Sequence, residues 1–167
     1  MNLGENGALP AGIHQCTINE FRETFVDGFP TTQRRNELFI QLMSFLSDLV
    51  KIDCFPEAFV DGSYVTNKVN PNDIDIVVFL HYSTVISPTV QAKINQLKTL
   101  YDPFLDIYFA VAVCDENKSM INPASYGSII NQRNYWRGQF GFDREDLPKG
   151  IVLITGSSVQ EYIAKEQ

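Results

Sequence analysis

The chain has 167 residues, 44% of them hydrophobic and 12% aromatic, with a formal net charge of -7. That is room for one domain with a sizeable core, and the composition excludes a disordered chain and a membrane-spanning one. The acidic balance argues against a general nucleic-acid binder, which needs a basic face, but it does not exclude a small nucleotide whose phosphates are handled by a metal and a few local cations.

The opening residues from Gly4 to Gly12 are turn-rich and read as an irregular arm over the surface, with no secretory signal in Met1 to Gln15. Thr17-Ile-Asn-Glu20 has the form of a capping box and starts a short helix with Phe21 and Phe25 on one face, ended by Gly28 and Pro30. A longer helix is expected from about Gln33 to Lys51. Its Leu38, Leu42, Phe45 and Leu49 recur at helical spacing and define the face that packs on a sheet.

The stretch that carries the chemistry runs from Phe59 to Leu80. It reads as a short strand, Ala58 to Val60, a Gly62-Ser63 turn, an Asn-Pro-Asn turn and a second strand, Ile74 to Leu80. Alternation along that strand puts Asp73 and Asp75 on one face and Ile74, Ile76, Val78 and Leu80 on the other. Two like charges about 5 Å apart at an effective dielectric near 20 repel by roughly 3 kcal/mol. A shared proton or a hard divalent cation would offset this, whereas in the plainer reading one Asp caps the strand and the other is solvated. Gly62 allows a close backbone approach, and the Ser63 hydroxyl with the free amides of a following helical turn suits a phosphate.

Ser87-Pro88 supplies an N-cap and a first-turn proline for a helix whose Val90, Ile94, Leu97 and Tyr101 form the apolar face and which ends before Pro103. A strand around Leu105 to Val111 follows. Its β-branched and aromatic content predicts burial, so Asp106 is expected to reach the other acids rather than stand alone. Asn122-Pro123 opens another helix to about Arg137, and Ile151 to Ile154 is the final strand. Between them Arg133, Arg137, Arg144 and Lys149 interleave with Trp136, Phe140 and Phe142, which would hold a triphosphate and stack a base unless the segment is a solvated helix end beside core aromatics. The Cys residues at 16, 54 and 114 lack a Cys-x-x-Cys pair and point to reduced thiols in a cytoplasmic setting; His14 and His81 are isolated.

Gly62-Ser63, the nine residues from Tyr64 to Asn72, then Asp73-Ile-Asp75-Ile and a later Asp106 resemble the signature of the DNA polymerase β-like nucleotidyltransferase superfamily over about Val60 to Val111. Tyr64 and Val65 depart from the small residues common after its Gly-Ser. The ordering from Leu9-Pro10-Ala11-Gly12 to Pro148-Lys149-Gly150 also resembles an uncharacterised group of bacterial and phage nucleotidyltransferase-like proteins.

The resemblance implies an α/β (α+β) fold with a mixed sheet of about four to five strands covered by helices, as a single domain: an N-terminal helical extension (1–56) and a catalytic core (57–155). It implies transfer of a nucleoside monophosphate from an NTP to a hydroxyl of a protein or RNA acceptor, as in toxin-antitoxin and phage-defence modules. Asp73, Asp75 and Asp106 would be the catalytic, Mg²⁺- or Mn²⁺-binding acids and Gly62 and Ser63 nucleotide contacts, to which the basic and aromatic segment itself adds Arg137, Arg144 and Lys149. The competing expectation is a catalytically silent module of the same fold that binds a nucleotide or a partner; a metal-dependent phosphohydrolase is the weaker third.

Overall fold

In a computed structural model describing residues 1–166, five strands form a single mixed sheet in the order β1-β5-β2-β3-β4. They are β1 (Gly12–Gln15), β2 (Glu57–Asp61), β3 (Ile74–Leu80), β4 (Leu105–Val111) and β5 (Gly150–Thr155). The pairs β1/β5 and β3/β4 are parallel, while β5/β2 and β2/β3 are antiparallel. The helices are α1 (Ile18–Arg22), which widens to π-helical pitch over Glu23–Asp27, α2 (Arg34–Lys51), α3 (Tyr82–Val85), α4 (Pro88–Tyr101), α5 (Asp115–Met120), α6 (Pro123–Phe140) and α7 (Gly156–Glu166). The fold class is therefore the expected one.

Local chemistry accounts for most element boundaries. Thr17 and Glu20 close the capping box reciprocally, Ser87 accepts the Val90 amide ahead of Pro88, and Asn122 accepts the Ser125 amide ahead of Pro123. Strand β3 is apolar on both faces because it lies inside the sheet and packs on both sides, with Ile74, Ile76, Val78 and Leu80 in one cluster and Val77 and Phe79 in the other.

The sheet's two faces are unequally covered. Ile74, Ile76, Val78 and Leu80 join Phe21, Phe25, Leu38, Leu42, Phe45, Leu49, Ile94 and Val159 in the larger core, under α1, α2, α4 and α7. Phe59, Val77, Phe79 and Ala110 face the other way, into a smaller cluster closed by Phe140 of α6. A lone helix does not span that face, and the uncovered end becomes a cleft.

Four differences from the sequence-based expectations have physical causes. The N-terminal 56 residues are no appendage: β1 extends the sheet, and α1 and α2 supply much of the larger core. The arm before β1 buries Leu9 and bridges Ala8 to Thr66, so it is tied to the Gly-Ser loop rather than draped loosely. Strand β4 is an edge strand, which leaves Asp106 exposed instead of enclosed. Helix α6 runs on to Phe140, past the expected end near Arg137, and α7 follows the last strand.

A row of carboxylates at the end of the sheet

The antiparallel pairing of β2 with β3 sets Asp61 opposite Asp75, and the parallel pairing of β3 with β4 sets Asp75 opposite Asp106. Three strands thus deliver carboxylates in a row, on the face covered only by α6. Asp73 lies just before β3 in the loop and is exposed; it flanks the row rather than sharing the strand's pleat with Asp75.

Gly62 explains how Asp75 fits. Its φ is 79°, a left-handed conformation that glycine adopts freely, and a Cβ there would lie 1.8 Å from Asp75 Oδ2. The backbone at Gly62 is therefore packed directly onto the central carboxylate. A single 3₁₀ turn, Ser63–Val65, follows, with Tyr64 and Val65 turned into the core and Ser63 left at the cleft. A Gly62→Ala variant is expected to lose stability through left-handed strain of about 1–2 kcal/mol plus displacement of Asp75. Its melting temperature should fall and its response to Mg²⁺ vanish; a variant that melts and responds like wild type would contradict this close approach.

The loop from Ser63 to Asp73 is held by the first turn of α2. Arg35 is fully buried, and its guanidinium donates to the carbonyls of Phe25, Tyr64, Thr66 and Lys68 at 2.6–3.1 Å, while the Tyr64 hydroxyl donates back to the Arg35 carbonyl at 2.9 Å. Its planar face lies 3.8 Å from the Phe29 ring centroid. Among the described residues no carboxylate pairs with it, and burial lowers the Arg35 pKa to about 10, which leaves it charged at neutral pH. Arg34 donates to the carbonyls of Pro71 and Asn72, immediately before the acids. The spacing between Gly-Ser and the acid pair is thus fixed by two arginines that sequence reasoning passed over.

Asp61 was also missed. It is 4% exposed, its Oδ2 accepts the Lys149 ammonium at 2.7 Å, and its Oδ1 has no hydrogen-bond partner. Burial raises its pKa to about 6, against the opposing pull of Lys149. Asp75 is likewise held above the ordinary carboxylate range, by burial first and then by Asp73 and Asp106. Asp106 Oδ2 accepts the Tyr108 hydroxyl at 2.7 Å, and that bond helps push the phenol to about 12.

These groups line an open cleft of about 1070 Å³, together with Gly62, Ser63, Arg144 and Lys149. One wall is aromatic: Tyr108 and Trp136 have ring centroids 4.8 Å apart, and Tyr135 and Phe142 add exposed rings. The polar Asn6-Gly7-Ala8 arm, with Thr66, Asn67 and Lys68, also lines it. The expected basic cluster is only half assembled there. Lys149 and Arg144 line the cleft, but Arg137 is exposed and points elsewhere because α6 continues past it, and Arg133 pairs with Glu57 over the rings of Phe59 and Phe79. Trp136 is at the cleft, as expected, whereas Phe140 mostly serves the smaller core.

Among the described residues, no three His, Cys, Asp or Glu side chains converge into a ready-made coordination shell. The acids form a line, not a cage. Such a line still fits Mg²⁺, which is usually held by one or two carboxylates with substrate phosphates and water completing its octahedron. The donor set is hard oxygen throughout, and the repulsion by Asp73 and Asp106 that adds to burial in raising the Asp75 pKa is what a cation would relieve.

Residues 1–155 match a family of unknown function, DUF6932. The chain belongs to that family. The match takes in every part of the DUF6932 cleft described above, from the Asn6 arm to Lys149. No curated protein and no solved structure matches the chain.

Proposed function

We propose that the cleft is the active site of a metal-dependent nucleotidyltransferase that moves a nucleoside monophosphate from an NTP to a hydroxyl of a protein or RNA acceptor. The observation that carries this reading is the packing of Gly62 onto Asp75 within the row Asp75–Asp106, beside the Gly62-Ser63 turn. That arrangement joins a phosphate seat to an acid pair at the end of one sheet, as the resemblance to the polymerase β-like superfamily implies.

Asp75 and Asp106, with Asp73 at the flank, would hold Mg²⁺ or Mn²⁺, which when bound neutralises phosphate charge and lowers the pKa of an attacking hydroxyl. The chain's own residues do the rest. The amides and hydroxyl at Ser63 bind the phosphates, Lys149 and Arg144 add positive charge, and the wall of Tyr108, Tyr135 and Trp136 offers a flat face to a base. Asp106, with one oxygen taken by Tyr108, has Oδ1 to accept the acceptor's proton. The chain's acidity favours a protein acceptor over a tRNA gripped by this chain alone. A toxin-antitoxin or phage-defence setting and a cytoplasmic location belong to this proposal. Support for the location is that Cys16 and Cys54 are free, buried thiols with pKa pushed to about 12, and that among the described residues no helix is long and apolar enough to cross a membrane.

The decisive experiment incubates the protein with Mg²⁺, labelled NTPs and a cell extract, and follows label into protein or RNA. Nucleotide binding without transfer would instead support the silent-module reading. Thermal melts supply an independent check. A cation that binds only the native cluster stabilises by about 2.7 kcal/mol at a hundredfold excess over Kd, so melts in Mg²⁺ and in EDTA should separate. The sign with pH follows from Asp75. A carboxyl with a raised folded-state pKa favours folding while protonated, and that contribution is lost as pH rises through the raised value. Metal competes with the same proton, so its stabilisation should widen as pH rises from the acid range to neutrality. Coincident melts across that range would count against a metal site.

A further inference from the structure

Asp61 is the member of the row to which the proposed reaction gives no task, and it is the most deeply buried of them. Replacing a buried ion pair by apolar residues is often neutral or stabilising, so a stability requirement alone is a weak reason to seat Asp61 and Lys149 beside two further carboxylates. The surrounding backbone is arranged to present this lysine. Asp143 Oδ1 accepts the amides of Glu145 and Leu147 at 2.8 and 2.9 Å, which folds residues 141–149 back on themselves. The Lys149 amide then donates to Gly141 and the Gly150 amide to Leu9, each at 2.9 Å, so the side chain enters the cleft from a fixed root. Lys149 is only 12% exposed along its side chain, yet its ammonium carries three N–H donors, and Asp61 Oδ2 takes one. It is also close enough to Asp75 to lower that residue's pKa.

We propose that Asp61 is a positioning residue: it holds the Lys149 ammonium beside the Gly62-Ser63 turn, with donors left for the terminal phosphates of a nucleoside triphosphate. This rests on the reading of the cleft as a nucleotide site. A free lysine would lose the freedom of its long stem on binding; one already ordered by Asp61 does not, which is a gain from preorganisation. The cation also sits where a polyphosphate would otherwise meet a line of like charges.

The test is calorimetric titration of inorganic tripolyphosphate, at fixed Mg²⁺, into wild type, Lys149→Met, Asp61→Asn and the double variant. Tripolyphosphate carries the phosphate charge of any NTP and no base. Each single variant should bind about tenfold more weakly, the loss expected for one charge-assisted contact. The double variant should be no weaker than the singles, because the two residues act through one contact. Lys149→Arg should retain most of the affinity. Wild-type affinity in a folded Asp61→Asn protein, or losses that multiply in the double variant, would overturn the proposal. Wild type that ignores tripolyphosphate would overturn the nucleotide reading itself, a separate and recognisable failure. Should Asp61→Asn fail to fold, wild type labelled with ¹³C-lysine decides the matter. The Lys149 resonance, assigned by its loss in Lys149→Arg, shifts on adding tripolyphosphate if Lys149 contacts it and stays unmoved if the proposal is wrong.

Discussion

Replacing Arg35 with Met is expected to leave the protein unfolded or nearly so at 37 °C, the largest stability effect of any single substitution considered. The guanidinium serves four backbone carbonyls, those of Phe25 and Tyr64 in buried contacts and those of Thr66 and Lys68 in partly buried ones. A buried acceptor left unsatisfied costs about 1–3 kcal/mol, and domains of this size have about 5–15 kcal/mol of stability in total. Loss of the two buried partners, together with two partly buried bonds and the packing on Phe29, therefore removes a large part of that margin. Arg35→Lys keeps the charge but not the fork, and should fall between the two. Urea denaturation of the three proteins at neutral pH measures it. A midpoint for Arg35→Met within about 0.5 M of wild type would show that the Gly-Ser loop holds its shape without this residue.

Asp75→Asn should have the largest effect on activity and the opposite effect on stability. Asp75 is the central acid, placed between Asp61 and Asp106 and packed against Gly62, so it is the group least replaceable by a neighbour. Nucleotide transfer should drop by about a hundredfold or more, the scale on which well-placed charges act in catalysis. In EDTA, however, the variant should melt higher than wild type. Burial and the like charges of Asp73 and Asp106 raise the Asp75 pKa, which means that its ionised form opposes folding, and the amide removes that charge without removing volume. A variant that keeps its activity and melts lower would make Asp75 a structural cap.

Much of this layout was legible in the sequence because it rests on local signals. Strand β3 occupies Ile74–Leu80 as expected, and caps at Thr17, Ser87 and Asn122 start helices where residue types within four positions dictate. The convergence of Gly62, Ser63, Asp75 and Asp106 followed from strand alternation and from the resemblance. What escaped depends on partners far along the chain. Asp61 and Lys149 are 88 residues apart, and nothing near either announces the other. Arg35 reads as an ordinary polar residue on the first turn of a helix, since three of its four targets are carbonyls about 30 residues downstream, and carbonyls have no sequence signature. Arg137 would return to the cleft if the helix stopped there; α6 instead continues to Phe140, with Trp136 and Phe140 on its inner side and Arg137 exposed. One signal did exist for Asp61: an acid immediately before the Gly-Ser turn, ending an apolar strand, is a charge that needs a partner.

The pairing of β1 with β5 has a consequence for biosynthesis. Gly12 lies opposite Gly150, so these partners are separated by 150 − 12 = 138 positions. Strand β5 also pairs with β2, and Lys149 is its immediate predecessor. Contacts of such long range are slow to form, and on a ribosome they wait until the distal strand has emerged. A nascent chain could already display β2, the Gly-Ser turn, β3 and β4, but Asp61 would face the other carboxylates with no lysine beside it. The assembled cleft therefore appears only after β5 has been translated, and a truncated product ending before residue 149 would lack it.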